Sequence, residues 1–155
     1  MKVYEPEVAP DPTEWLALDE QARITAANQA HVGRFPDALH SEGANPIMHA
    51  ALHAVIETQI ATGEPAITRA TLARLQDEGL KRHPAVHALM QVFAEQLAGL
   101  GASGARFDHE AWAKRLTGLR ASDVVALALG APAPEPGSGP PMNRAERRAA
   151  KRRKR

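Results

Sequence analysis

No cysteine occurs among the 155 residues, which excludes disulfides and thiolate zinc sites alike. A cysteine-free chain fits a reducing compartment, and the cytoplasm is the default location. Aromatic residues make up only 4% of the chain, against 44% hydrophobic residues in all. The core must then be built from Ala, Leu, Val and Ile. That composition favours helices, because Ala has the best helix propensity and loses no side-chain entropy. No apolar run approaches the ~20 residues that cross a bilayer. The opening residues, Met1-Lys2-Val3-Tyr4-Glu5-Pro6, lack the basic-then-apolar layout of a signal peptide. No Gly-rich phosphate loop is present, and Ser41, Ser103 and Ser122 sit near no convincing His and Asp partners. Sustained period-two alternation is missing as well, so no strand is expected.

What is present divides unevenly by charge. The net charge is +1, but residues 143–155 carry eight Lys or Arg and one Glu. That segment therefore holds +7 and leaves −6 on the 142 residues before it. A mildly acidic domain with a basic tail suggests that the two parts meet different partners. Between them, residues 131–141 read Ala-Pro-Ala-Pro-Glu-Pro-Gly-Ser-Gly-Pro-Pro, a stiff extended spacer that can bury no core.

Helix signals punctuate the rest. Asp11-Pro12-Thr13-Glu14 supplies a cap, a proline suited to the first helical position and a Glu three residues after the cap. Asp19-Glu20 offers a second start, for a helix reaching about Val32 whose apolar residues are mostly alanines; Gly33 and Pro36 end it. Residues 33–45 are expected to form a loop. Asn45-Pro46 starts a helix that should stop at Gly63, which suits the left-handed position after a helix. Further helices are predicted over Arg69 to Glu78, from His83-Pro84 to about Leu100, after Asp108, and over Asp123 to Leu129. The expected fold class is all-α: a compact bundle of five or six helices with a disordered basic tail. The expected parts are an irregular arm (1–10), a helical domain (11–130), a Pro/Gly-rich linker (131–142) and the tail (143–155).

One pattern occurs twice. The segment His49-Ala50-Ala51-Leu52-His53-Ala54-Val55-Ile56-Glu57 is echoed 34 positions later by His83-Pro84-Ala85-Val86-His87-Ala88-Leu89-Met90-Gln91. At about 100° per residue, His53 lies about 40° and Glu57 about 80° from His49, along the border of the apolar stripe. The second copy repeats that phase. Residues four apart are neighbours on a helix, so each pair of imidazoles can grip one ion. If the two stripes pack together, four nitrogens converge on one Zn²⁺, Fe²⁺ or Mn²⁺, with Glu57 as an oxygen ligand or as an acceptor behind the ligands. Two other readings stand beside this one. The repeat can be an old duplication of a packing unit, with each histidine bonded to a carbonyl or carboxylate. It can also be a pH-sensitive core. His31, His40 and His109 stand alone and are expected at the surface. The pattern differs from the His-Glu-x-x-His helix of zinc hydrolases, because Ala50, Ala51 and Leu52 fill the interior positions. The bases within reach of a metal-activated water would be Glu57 or Glu95, and enzyme activity has little support.

Asn45-Pro46-Ile47-Met48-His49-x-x-Leu52-His53 with Gln59, then Arg82-His83-x-x-x-His87 and Glu95, resembles a family of small bacterial proteins classed as a domain of unknown function. The opening Asp11 to Glu20 is similar to the same part of related hypothetical proteins. The resemblance spans roughly residues 11–119 and is most specific over 45–95. It implies an all-helical fold and one functional cluster of His49, His53, Glu57, His83, His87 and Glu95, and it carries no activity. Pro84 stands where relatives tend to have an acidic residue, and Ala26 to Ala30 is smaller and more polar than the usual bulky helix.

The tail offers Arg144, Arg147, Arg148, Lys151, Arg152, Arg153, Lys154 and Arg155. Such a string can neutralise several phosphates and bind nucleic acid or the ribosome with salt-dependent, sequence-independent affinity. No aromatic is interleaved, so base stacking is not indicated. A solubilising tail or contact with an acidic membrane surface are its other readings.

Overall fold

The computed structural model describes residues 4–31, 45–103 and 106–128, and these form seven helices without a strand. The expected linker and tail, residues 33–44 of the expected loop and His40 within them lie outside the described residues. The helices are α1 (Pro12–Ala17), α2 (Glu20–His31), α3 (Pro46–Thr62), α4 (Ala66–Asp77), α5 (Arg82–Ser103), α6 (His109–Gly118) and α7 (Ala121–Ala128). None is long and apolar enough to cross a membrane.

Each start that combines a short polar side chain with a first-turn proline forms as expected. Asp11 Oδ1 accepts from the Thr13 and Glu14 amides, and Asn45 Oδ1 accepts from those of Ile47 and Met48. Asp108 does the same for Glu110 and Ala111 without a proline. These bonds satisfy amides that no helical carbonyl can reach. Gly63 ends α3 at φ 77° with its amide on the Gln59 carbonyl, the conformation anticipated for it. Several boundaries differ, among them the start of α7, at Ala121 rather than Asp123. α4 begins at Ala66 rather than Arg69, with Pro65 in extended geometry before it. Helix α5 begins at Arg82 and continues through Gly99 and Gly101 to Ser103, past the expected end near Leu100. A helical glycine costs only about 1 kcal/mol against alanine, too little to stop an established helix.

Carbonyls at three helix ends are met by arginines from elsewhere in the chain. Arg23 donates to the Trp15 and Leu16 carbonyls of α1. Arg69 donates to those of Ile60 and Ala61 in α3, and Arg74 to Leu116 in α6 and to Leu119 just beyond it. A cation there also meets the negative end of the helix dipole.

Two apolar clusters follow. The larger joins α3, α4, α5, α6 and α7 around Ile56, Leu75, Leu89, Trp112 and Leu116. The smaller joins the N-terminal arm, α1, α2 and α3 around Tyr4, Trp15, Ala27, Ala30, Ala50 and Ala54. Helix α2 buries only Ala27 and Ala30. At roughly 25 cal/mol per Å², two alanines give it a weak apolar hold on its neighbours. The junction of α2, α3 and α5 is filled largely by imidazoles instead.

Candidate metal centre

Five histidines meet at this junction. His31 is the last residue of α2, His49 and His53 lie one turn apart on α3, and His83 and His87 lie one turn apart on α5. The ring centroids of the two pairs are 4.9 Å apart on α3 and 4.2 Å apart on α5. The two helices turn these edges toward each other, so the rings of His49 and His87 approach to 4.9 Å and those of His53 and His83 to 5.5 Å. His31 closes the group from the side, with its ring 4.3 Å from His53 and 4.8 Å from His49. The expected meeting of the two repeated segments is present, and a third helix joins them.

One ring nitrogen from each of His31, His49, His53 and His87 lies within 4.8 Å of all the others, close enough to hold a metal ion. Four nitrogens held tetrahedrally at about 2.1 Å stand about 3.4 Å from one another, so no separation has to close by more than about 1.4 Å for all four to share one ion. His83 adjoins this group, with its Nε2 3.0 Å from His31 Nε2. The Nε2 atoms of His53 and His87 are 2.9 Å apart. His53, His83 and His87 are buried, whereas His31 and His49 are half-buried on the more open side.

Hydrogen bonds behind the rings assign tautomers to two of them. His31 Nδ1 lies 2.7 Å from the Ala27 carbonyl, which can only accept, so Nδ1 carries the proton and the Nε2 lone pair faces the cluster. The Tyr4 hydroxyl donates to Glu57 Oε1 at 2.8 Å, which leaves its oxygen free to accept from His53 Nδ1 at 3.4 Å. The His53 Nε2 lone pair then faces inward too. This is how metal-binding histidines are ordinarily oriented, through the nitrogen away from the ion.

Glu57 is fully buried and turned away from the rings. Arg82 Nη1 and Nη2 donate to Oε1 and Oε2 at 2.7 and 2.6 Å, a bidentate ion pair between α3 and α5. The expectation of Glu57 as a direct oxygen ligand therefore meets a competitor, since a forked guanidinium matches both carboxylate oxygens. Nor is Glu95 brought to the cluster: it lies exposed on α5 and pairs with Arg115 at 2.7 Å. His31, expected at the surface, is instead central. Ile24 and Ala27 precede it by seven and four residues, which puts it on the face of α2 that packs against the smaller cluster. His109 is exposed, as expected, against Phe107. Tyr4, Glu7 and Arg82 also matter here, and the first two belong to the arm expected to be irregular. Residues 4–10 do lack a helix, yet Tyr4 is only 3% exposed.

Burial and the neighbouring rings shape the electrostatics. Burial, and then the nearby His87, His31, His49 and His83, hold the His53 imidazole well below its ordinary protonation range. The ring is therefore neutral, the form that ligates metal. The Tyr4 phenol is pushed up by burial and by the Glu57 carboxylate, so it remains a hydrogen-bond donor. Burial alone would lower Arg82, but the Glu57 carboxylate outweighs it and the guanidinium stays charged.

A family model described as a domain of unknown function (DUF1841) matches residues 20–118, which include all five clustered histidines. No curated protein and no solved structure matches the chain.

Proposed function

The chain belongs to the DUF1841 family, and on the geometry of its helices we propose that it binds one divalent transition-metal ion in a structural or sensing role. The observation that carries this reading is the convergence of four ring nitrogens, from His31, His49, His53 and His87, within 4.8 Å of one another. An imidazole set without a carboxylate favours Zn²⁺ or Fe²⁺ over the harder Mn²⁺, which prefers oxygen donors. A structural role suits the placement, because the ligands come from α2, α3 and α5 and α2 has little apolar surface of its own to hold it. A hydrolytic role has less support. Glu57 is engaged by Arg82 and Tyr4, and Glu95 by Arg115, so neither stands free beside the site as a base. The absence of cysteines suits a cytoplasmic setting for such a site.

The competing reading is a metal-free interaction module whose histidines are core and whose basic tail contacts nucleic acid or the ribosome. In that case His83 and His87 would each donate an Nε2 proton to the lone pairs of His31 and His53. Elemental analysis of protein purified without an affinity tag separates the two. About one equivalent of zinc or iron is expected, and the double variant His53→Ala, His87→Ala should lose it. Undiminished metal content in that variant would refute the site.

A further inference from the structure

The N-terminal arm touches both histidine-bearing helices at their point of contact. Tyr4 is buried against the Trp15 ring, at 5.3 Å between centroids, and its hydroxyl reaches Glu57 and His53 of α3. Two residues on, the Pro6 carbonyl accepts from Arg82 Nη1 at 2.9 Å. Glu7 Oε2 accepts from the His83 backbone amide at 3.2 Å, in the first turn of α5 where the helix dipole is positive. The arm thus binds the residue preceding His83, the amide of His83 itself and the ring nitrogen of His53 opposite the cluster. Residues 4–7 precede the segment matched by the family model, yet they support histidines inside it.

We propose that residues 4–7 form a strap that is coupled to ion binding, with Tyr4 as the positioning residue for His53. The inference rests on the imidazole cluster being a metal site. The Tyr4 hydroxyl accepts from His53 Nδ1 and donates to Glu57, so it fixes which ring nitrogen presents its lone pair. Loss of such a hydrogen bond behind a metal-binding histidine typically lowers metal affinity by 10–100-fold. Coupling of this kind is reciprocal: an ion held more tightly when the strap is docked must hold the strap more tightly in turn.

The test uses the full chain and Zn²⁺ alone as probe. Affinity is measured by competition with a chromophoric chelator for the wild type and for Tyr4→Phe, which removes the hydroxyl and keeps the ring on Trp15. The expected result is about a 10–100-fold weaker Zn²⁺ affinity in Tyr4→Phe. In the wild type, Zn²⁺ should also slow cleavage after Glu7 by a glutamate-specific protease, a readout that needs no variant. Cobalt substitution supplies a third, because an unfixed His53 should change the ligand-field spectrum, which a remote loss of stability would leave alone. Zn²⁺ binding by the wild type together with an affinity in Tyr4→Phe within about twofold of it, or with an unchanged cleavage rate, overturns the strap and leaves the metal site standing. Failure of the wild type to bind Zn²⁺ overturns the metal site and the strap together.

Discussion

Replacing Arg82 by Met should be among the most damaging single changes in this protein, and the reason lies in what it leaves behind. Glu57 has no exposed surface and Arg82 is 6% exposed, so water cannot take over from the guanidinium. Removing one partner of a buried pair typically costs about 3–5 kcal/mol, because the other stays buried without its counter-charge. The Pro6 carbonyl also loses its donor, which adds about 1 kcal/mol. Against a typical total stability of about 5–15 kcal/mol, such a loss brings the chain near the edge of folding. In urea unfolding followed by circular dichroism, with chelator present, the midpoint should fall by about 2 M or more for an m-value near 2 kcal/mol/M. Two comparisons isolate the cause. The double variant Glu57→Leu, Arg82→Met removes both charges and leaves chiefly the Tyr4 hydroxyl unpaired, at about 1–3 kcal/mol, so it should be more stable than Arg82→Met alone. Arg115→Met breaks the Glu95 pair, whose side chains are 54% and 47% exposed, and should cost no more than about 1 kcal/mol. An Arg82→Met loss below about 1 kcal/mol, or a double variant no better than the single, would refute the account of a desolvated pair.

Acid should destabilise the metal-free protein. The His53 pKa is lower in the folded state than in the unfolded chain, so the unfolded chain binds the extra proton. Stability is then full above the unfolded value near 6.5 and falls as pH drops below it, by up to about 1.4 kcal/mol per pH unit for this group. Urea titrations with chelator from about pH 8 to pH 5 check this, and a stability that holds or rises on acidification contradicts it. His31→Ala should weaken Zn²⁺ binding at least about tenfold while His109→Ala leaves it unchanged, as read by chelator competition; equal affinities in the two variants would return His31 to the surface role first expected of it. Deleting residues 143–155 should remove the salt-sensitive part of any nucleic-acid binding, and a binding curve unmoved by the deletion counts against a docking tail.

The helix starts at Asp11, Asn45 and Asp108 were legible because capping is local chemistry: a short acceptor side chain bonds to amides two and three residues on. The Gly63 stop was legible for the same reason, as it needs only a left-handed residue. The true extent of α5 was not, because a glycine's effect on a helix depends on how much helix already stands before it. In the site, the paired histidines of α3 and α5 could be read because four-residue spacing and a repeated phase place rings on one edge, whatever the tertiary structure. His31 gave no such signal. A single histidine has no periodic partner, and Ile24 and Ala27, which share its face, barely register as an apolar stripe. Glu57 lay on the right edge, one turn beyond His53, but spacing along one helix cannot show which cation from another helix claims a carboxylate. Glu95 lies eight residues beyond His87, about 12 Å along the α5 axis at 1.5 Å per residue. The separation along the helix was available from the sequence, whereas the pairing with Arg115 on α6 was not.

The polar junction also says something about what the chain is built to depend on. Leucines between α2, α3 and α5 would hold these helices together unconditionally, each burial contributing roughly 1.5–3 kcal/mol. Imidazoles at the same places hold them conditionally. Without an ion, the rings meet one another at His31–His83 and His53–His87, and acid that protonates His53 attacks that arrangement directly. With an ion, part of the binding free energy would become folding free energy for the helices that supply the ligands, and α2, which fully buries only Ala27 and Ala30 and otherwise holds on through Ile24, Ala26 and Arg23, would gain most. The larger cluster around Leu75, Leu89, Trp112 and Leu116 needs no such help. Were the imidazole cluster to hold an ion, the stability around α2 would follow the availability of that ion, while that of the larger cluster would not. That division is what a structural site and a sensing site have in common, and they differ only in whether the ion's concentration varies around its dissociation constant.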